Sequence, residues 1–147
     1  MANPFTAGAI VYAKDTRRLA RFYAAVADLE IVHEVADHVV LESETYELVI
    51  VAIPAATAVR IVIATPPVRR ENTAFKLSFL VESLAEARIA AQDAGGALDP
   101  AAKEWDFQGL RVCDGCDPEG NMIQLREAPE ESAPSAPSAA VPAPSHD

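Results

Sequence analysis

Apolar and polar positions along the chain change period at corresponding points twice. Gly8 to Ala13 reads as a strand, Asp15 as a helix N-cap, and Leu19, Phe22, Tyr23 and Val26 fall at the i, i+3, i+4, i+7 spacing of one helical face. The spacing predicts a helix over about Thr16 to Ala27. Strand-like runs follow at Glu30 to Val35 and Val39 to Glu42, around a turn at Ala36-Asp37, and at Tyr46 to Ile53, which Pro54 stops. The order is strand, helix, three strands.

The same order returns 68 residues later. Gly8 to Ala13 falls on Lys76 to Val81, Asp15 on Ser83, and Leu19, Phe22 and Tyr23 on Ala87, Ala90 and Ala91. In Phe75 to Val81, Phe75, Leu77, Phe79 and Val81 share one face, which is expected to be core, and Lys76, Ser78 and Leu80 share the other. Ser83 with Glu86 forms a capping box ahead of Leu84 to Ala94, and Gly95-Gly96 supplies a left-handed stop. Leu98, Leu110 to Cys116 and Met122 to Arg126 then read as strands, the last two separated by the turn Asp117-Pro118-Glu119-Gly120-Asn121. The fold class is α+β: two βαβββ modules at about residues 7–53 and 75–127, with a linker at about 54–74. Within the linker, Arg60 to Ala64 is β-branched enough to be a strand, and Thr65 to Asn72, with Pro66-Pro67, reads as a polar hinge.

Composition narrows the function. In 147 residues, 12 Lys and Arg stand against 22 Asp and Glu, a net charge of -10 that disfavours phosphate backbones and anionic membrane surfaces, so neither nucleic acid nor membrane is an expected partner. Seven acids and no base lie between Asp28 and Glu47, which reads as a solvated sheet face. The last stretch, 128–147, carries five of the 11 prolines and is expected to be a disordered tail, so the folded unit spans 1–127 with 19 acids and 12 bases. No apolar run approaches a membrane span, Met1 to Phe5 lacks the pattern of a secretion signal, and Cys113 and Cys116 are too few for a disulfide framework, so a cytoplasmic location is expected.

The doubled βαβββ order, the strand-to-helix pattern ending in Asp15, the stretch Phe79-Leu80-Val81-Glu82-Ser83-Leu84 and the run Asp117-Pro118-Glu119-Gly120-Asn121-Met122-Ile123-Gln124-Leu125 together resemble the vicinal-oxygen-chelate superfamily. That superfamily includes glyoxalase I, extradiol dioxygenases, fosfomycin-resistance enzymes and bleomycin-resistance proteins, and the likeness covers about residues 7–127. It implies a U-shaped mixed sheet around a trough, helices outside, with ligands on the concave face. By strand parity, Gly8, Ile10, Tyr12, Lys76, Ser78, Leu80, Met122, Gln124 and Arg126 then point inward, with Ile123 and Leu125 in the core.

The resemblance also implies a divalent metal chelated from two equivalent strand starts and the closing strand. Those positions carry Gly8, Lys76 and Gln124: no donor atom, an ammonium, and a weak neutral oxygen. A fourth family ligand falls near Glu47, and one carboxylate binds a divalent ion weakly. His33 and His38 flank the first hairpin turn without being direct cross-strand partners, and are expected to be exposed. Cys113 and Cys116, three apart on a strand, point to opposite faces, one thiol buried and one toward the trough. Lys76 calls for a partner such as Glu47 or an anionic ligand. Tyr12, Trp105 and Phe107 offer flat apolar surface, with Trp105-Asp106-Phe107-Gln108-Gly109 read as a loop able to cover a ligand, or with Trp105 filling the junction between modules.

The leading reading is a metal-free small-molecule-binding protein similar in logic to bleomycin-resistance proteins. It would sequester a ligand in the trough of a homodimer, with Tyr12, Glu47, Lys76, Ser78, Trp105, Phe107 and Gln124 as ligand-binding candidates and no cofactor. Its ligand is a cationic molecule drawn by the acidity, or an anionic or neutral one given Lys76. Two alternatives stay open. One is a glyoxalase- or dioxygenase-like enzyme with an atypical metal site built on Glu47 and Gln124, or with Lys76 as base; the other is a non-catalytic interaction subunit.

Overall fold

A computed structural model describes residues 6–129. The elements run β1 (Ala7–Ala13), α1 (Thr16–Val26), β2 (Glu30–Val35), β3 (His38–Glu42), β4 (Tyr46–Ala52), α2 (Ala55–Ala58), β5 (Leu77–Val81), α3 (Leu84–Asp93), β6 (Ala97–Leu98), β7 (Trp105–Phe107), β8 (Leu110–Cys116) and β9 (Met122–Glu127). Both expected caps form and mark the repeat: the Asp15 side chain accepts the Arg18 N–H and Ser83 Oγ accepts the Glu86 N–H, each at 3.1 Å. These bonds satisfy amides that a helix start leaves without partners.

Each module builds one sheet, in the order β1-β4-β3-β2 and β5-β9-β8-β6, with β7 also paired to β8. In both sheets the first strand lies parallel to the last, as β1 with β4 and β5 with β9, and the remaining pairs are antiparallel. A parallel pair needs a long crossover, which here carries the helix. The result is an α+β fold of two mixed sheets made of βαβββ modules.

One core serves both modules. Leu19, Phe22 and Tyr23 of α1 and Leu84, Ala87 and Ala91 of α3 are buried with Val39, Leu41, Leu48 and Ile50 of the first sheet and Phe79, Cys113, Ile123 and Leu125 of the second. Aromatic rings cross the junction, Tyr23 lying 5.7 Å and Tyr46 5.4 Å from Phe79 between centroids. After α3, Gly95 takes φ +96, the left-handed stop. Gly96 is required for space instead, since a Cβ there would sit 2.5 Å from the Phe22 ring.

Three expected elements differ. Arg60 to Ala64 forms no strand, because the amides of Val59, Arg60 and Ile61 bond back to Ala55, Thr57 and Ala58 in the turn that follows α2. Phe75 is not core but 82% exposed. Leu77 pairs with Ile123, so Phe75 would need Asn121, whose amide and carbonyl are already bonded within the closing turn to Asp117. Trp105 to Gly109 is a hairpin rather than a covering loop: β7 pairs with β8 from Phe107–Leu110 to Trp105–Val112, and Gln108 and Gly109 turn it with φ 53 and 83. Two successive positive φ values match the twist of paired strands. From residue 130 on, the expected tail lies outside the described residues. No helix among the described residues is long and apolar enough to cross a membrane.

Candidate functional site

Strand register defines the face turned away from the helices. In the first sheet, Gly8 opposes Glu47, Ile10 opposes Val49 and Tyr12 opposes Val51, while their neighbours Ala9, Val11 and Ala13 pack on the core. In the second, Ser78 opposes Gln124, Leu80 opposes Arg126, and these continue across β8 to Asp114 and Val112, then to Trp105. Parity therefore places Gly8, Ile10, Tyr12, Ser78, Leu80, Gln124 and Arg126 on this free face, as expected, and adds Glu47 and, through the β7–β8 pairing, Trp105 and Phe107, with Ile123 and Leu125 buried behind it.

Apolar side chains on that face meet solvent. Ile10 and Tyr12 are each 64% exposed and Leu80 63%, with Trp105 and Phe107 also open. Among them runs one polar chain. Lys76 Nζ donates to Asp114 Oδ2 at 2.9 Å, Gln124 Nε2 donates to Asp114 Oδ1 at 3.3 Å, Arg126 Nε donates to Gln124 Oε1 at 3.0 Å, and the Arg126 guanidinium lies 5.2 Å from the Phe107 ring centre. A cation over an aromatic face is attracted by the ring quadrupole, which sets Arg126 and Phe107 against each other.

Of the expected site residues, Lys76, Gln124 and Phe107 are thus brought into one network. Ser78 lies beside it in the β5–β9 register, and Glu47 sits in the other sheet. The partner of Lys76 is Asp114, not Glu47, because Asp114 belongs to the sheet that Lys76 enters. Trp105 does not fill the junction between modules; β7 flanks β8 on the side away from β9 and β5. Asp114 escaped the sequence reading because it lay inside Cys113-Asp114-Gly115-Cys116, although alternation along Leu110 to Cys116 places it on the trough side.

Both thiols are buried. Cys113 packs in the core, and Cys116, on the trough parity, is covered rather than open to the trough. Burial pushes both thiols above the usual cysteine range. His33 opposes Val40 and His38 opposes Val35, so the two are not a direct pair, yet as diagonal neighbours their rings lie 5.3 Å apart. His33 is exposed and His38, bonded to Asp37, is half-buried.

β1 and β5 are edges of their sheets, and between them lies a cleft of about 650 Å³ lined by Ile10, Tyr12, Arg70, Phe75, Lys76 and Met122 among others. A model of a glyoxalase-like domain matches residues 9–126. The chain belongs to that family. Solved relatives share the fold: a glyoxalase/bleomycin resistance protein/dioxygenase family enzyme from Burkholderia phytofirmans PsJN has 14% identity over 85% of this chain and 99% of its own, with a TM-score of 0.62. A glyoxalase/bleomycin resistance protein from Albidiferax ferrireducens T118 has 19% identity over 85% and 98%, TM-score 0.59. The bleomycin resistance determinant encoded on transposon Tn5 has 17% over 84% and 97%, TM-score 0.54. No curated protein matches the chain in sequence.

Membership in the glyoxalase-like family, and so in the vicinal-oxygen-chelate superfamily, raises the question of a chelated metal. The residues present do not fit one. Gly8 has no donor, the Gln124 oxygen is engaged by Arg126, and both Asp114 oxygens are engaged, one of them by the Lys76 ammonium. A divalent ion there would face two fixed positive charges. Among the described residues, no three His, Cys, Asp or Glu side chains are grouped to hold a metal ion.

Proposed function

We propose that this glyoxalase-like protein binds a small molecule without metal, sequestering it on the concave face of a homodimer. The observation that carries the reading is the open apolar surface of Ile10, Tyr12, Leu80, Trp105 and Phe107, interrupted by the Lys76–Asp114–Gln124–Arg126 chain. Apolar walls with a few fixed polar groups are the usual make-up of a ligand site, and exposed apolar patches mark surfaces that meet a partner. The polar groups here hold one another, so they give direction to a ligand without a reactive group poised to attack it.

Two proteins of the same fold are named for resistance to small molecules, a fosfomycin resistance protein from Listeria monocytogenes and the bleomycin resistance determinant of Tn5. Dimerisation is part of the reading because a second copy would turn an open apolar face into a crevice. The test is elemental analysis of purified protein before and after equilibration with Zn, Ni, Mn and Fe(II), with mass determination in solution alongside. Metal well below one ion per subunit in a dimer is the expected result. A stoichiometric ion retained through dialysis, or a monomer, overturns the corresponding part of the proposal. Trp105 is the single tryptophan and lies on the face away from the helices, so its emission is expected to report a ligand bound there.

A further inference from the structure

The cleft between β1 and β5 has a charge opposite to that of the protein. Its charged lining residues are Arg70 and Lys76, with no carboxylate among the residues that line it, in a chain whose net charge is -10. By contrast, a recess of about 600 Å³ at the start of α1 mixes Lys14, Arg17 and Arg18 with Asp15 and Glu119. From this we infer that the β1–β5 cleft takes an organic anion: a flat apolar body carrying a carboxylate, sulfonate or phosphonate. This inference rests on the small-molecule-binding reading and specifies the ligand class.

Arg70 is held in place by its backbone. Its N–H donates to the Gly120 carbonyl at 2.8 Å, and Gly120, at φ +90, lies so close that a Cβ there would sit 2.2 Å from the Val68 carbonyl oxygen. The linker is thereby pinned onto the closing turn, and neighbouring arginines part ways. Arg69 is engaged with Asp99 at 2.7 Å, while the Arg70 side chain is exposed and has no ion-pair or hydrogen-bond partner among the described residues. Lys76 spends one contact on Asp114, leaving donors of its ammonium for a ligand. Tyr12 and the exposed Phe75 ring supply apolar faces in the same cleft. A guanidinium free to form two parallel bonds, an ammonium and aromatic surface together recognise an anionic group on an apolar frame.

Two dyes of one ring system separate the outcomes: anilinonaphthalene sulfonate, which is anionic, and phenylnaphthylamine, which lacks the sulfonate. With the full chain, fluorescence titration is expected to give at least about tenfold tighter binding of the sulfonate, weakening as salt is added. Arg70→Gln and Lys76→Gln, the latter able to keep a hydrogen bond to Asp114, are each expected to lower sulfonate affinity about fivefold or more and leave the neutral dye unchanged. Unchanged thermal unfolding of these exposed-site variants verifies that the fold is intact. Equal affinity for both dyes, or sulfonate binding indifferent to both substitutions, overturns the anion inference and leaves the small-molecule reading standing. Failure of both dyes to bind overturns both.

Discussion

The Tyr23 hydroxyl on α1 donates a 2.7 Å hydrogen bond to Asp117 Oδ2 in the closing turn, joining the helix of the first module to the last strand connection of the second. Asp117 is wholly buried and also accepts from Asn121 Nδ2 and from the amides of Glu119 and Asn121. The turn is thereby organised around one carboxylate. Glu119 then reaches back, accepting the Lys14 and Asp15 amides at 2.9 and 2.7 Å, so the same turn also holds the start of α1. Tyr23→Phe removes a bond to a buried charged acceptor and is expected to cost about 1.5–3 kcal/mol. Urea unfolding should show a lower midpoint at unchanged slope. A midpoint equal to that of the parent would show that the bond does not hold the modules together.

Asp117 also sets a direction for pH dependence. Burial pushes its carboxyl above the ordinary aspartate range, against the lowering by its bonds from Tyr23, Asn121 and the two amides. The folded protein therefore holds this proton more tightly than the unfolded chain does. Its contribution to stability is fully present below the unfolded value, falls as pH rises toward the folded pKa, and is constant above it. Asp117→Asn cannot titrate, so its destabilisation relative to the parent is expected to be largest at the acid end and to shrink as pH rises. Urea midpoints of both proteins across that range measure the difference, and a destabilisation that grows with pH would contradict the assigned shift.

The repeat was legible because caps and periodicity agree: Asp15 and Ser83 start helices 68 residues apart, and alternation along Leu77 to Val81 and Met122 to Arg126 orders their faces correctly. What the pattern could not supply was pairing at a distance. Phe75 continues the alternation of its strand, but its register partner Asn121 is bound up in the turn. Lys76 meets Asp114 two strands across its sheet, a relation that only the β5–β9–β8 register creates. Arg70 lies in a segment without periodicity and owes its place to Gly120. The β7–β8 hairpin was hidden because Gln108 is not a residue that signals a positive φ.

The thiols offer a chemical check. The thiolate is the reactive form, and burial pushes Cys113 and Cys116 above the usual cysteine range, so both are expected to be protonated near neutrality. Their strand places them on opposite faces, Cys113 opposite Leu125 and Cys116 opposite Met122. Ellman's reagent is expected to leave the native protein essentially unmodified over minutes and to react with both thiols once guanidinium unfolds it. Prompt modification of the folded protein would mean that one thiol opens to solvent.

Gly109 isolates a purely conformational cost. It turns the β7–β8 hairpin at φ +83, and a Cβ added there would meet nothing within 4 Å, so a substitution loses no space and makes no clash. Only the left-handed backbone opposes a side chain, a penalty of about 1–2 kcal/mol for an L-residue. Gly109→Ala is therefore expected to lower stability by about that amount. Because the strain is confined to the turn, the hairpin that carries Trp105 and Phe107 should loosen first. Hydrogen exchange at the β7–β8 amides is expected to quicken more than at β5–β9, together with a change in Trp105 emission. Equal loss of protection in both pairs would mean that the hairpin unfolds only with the whole domain, and that its two aromatic side chains are presented by a rigid edge.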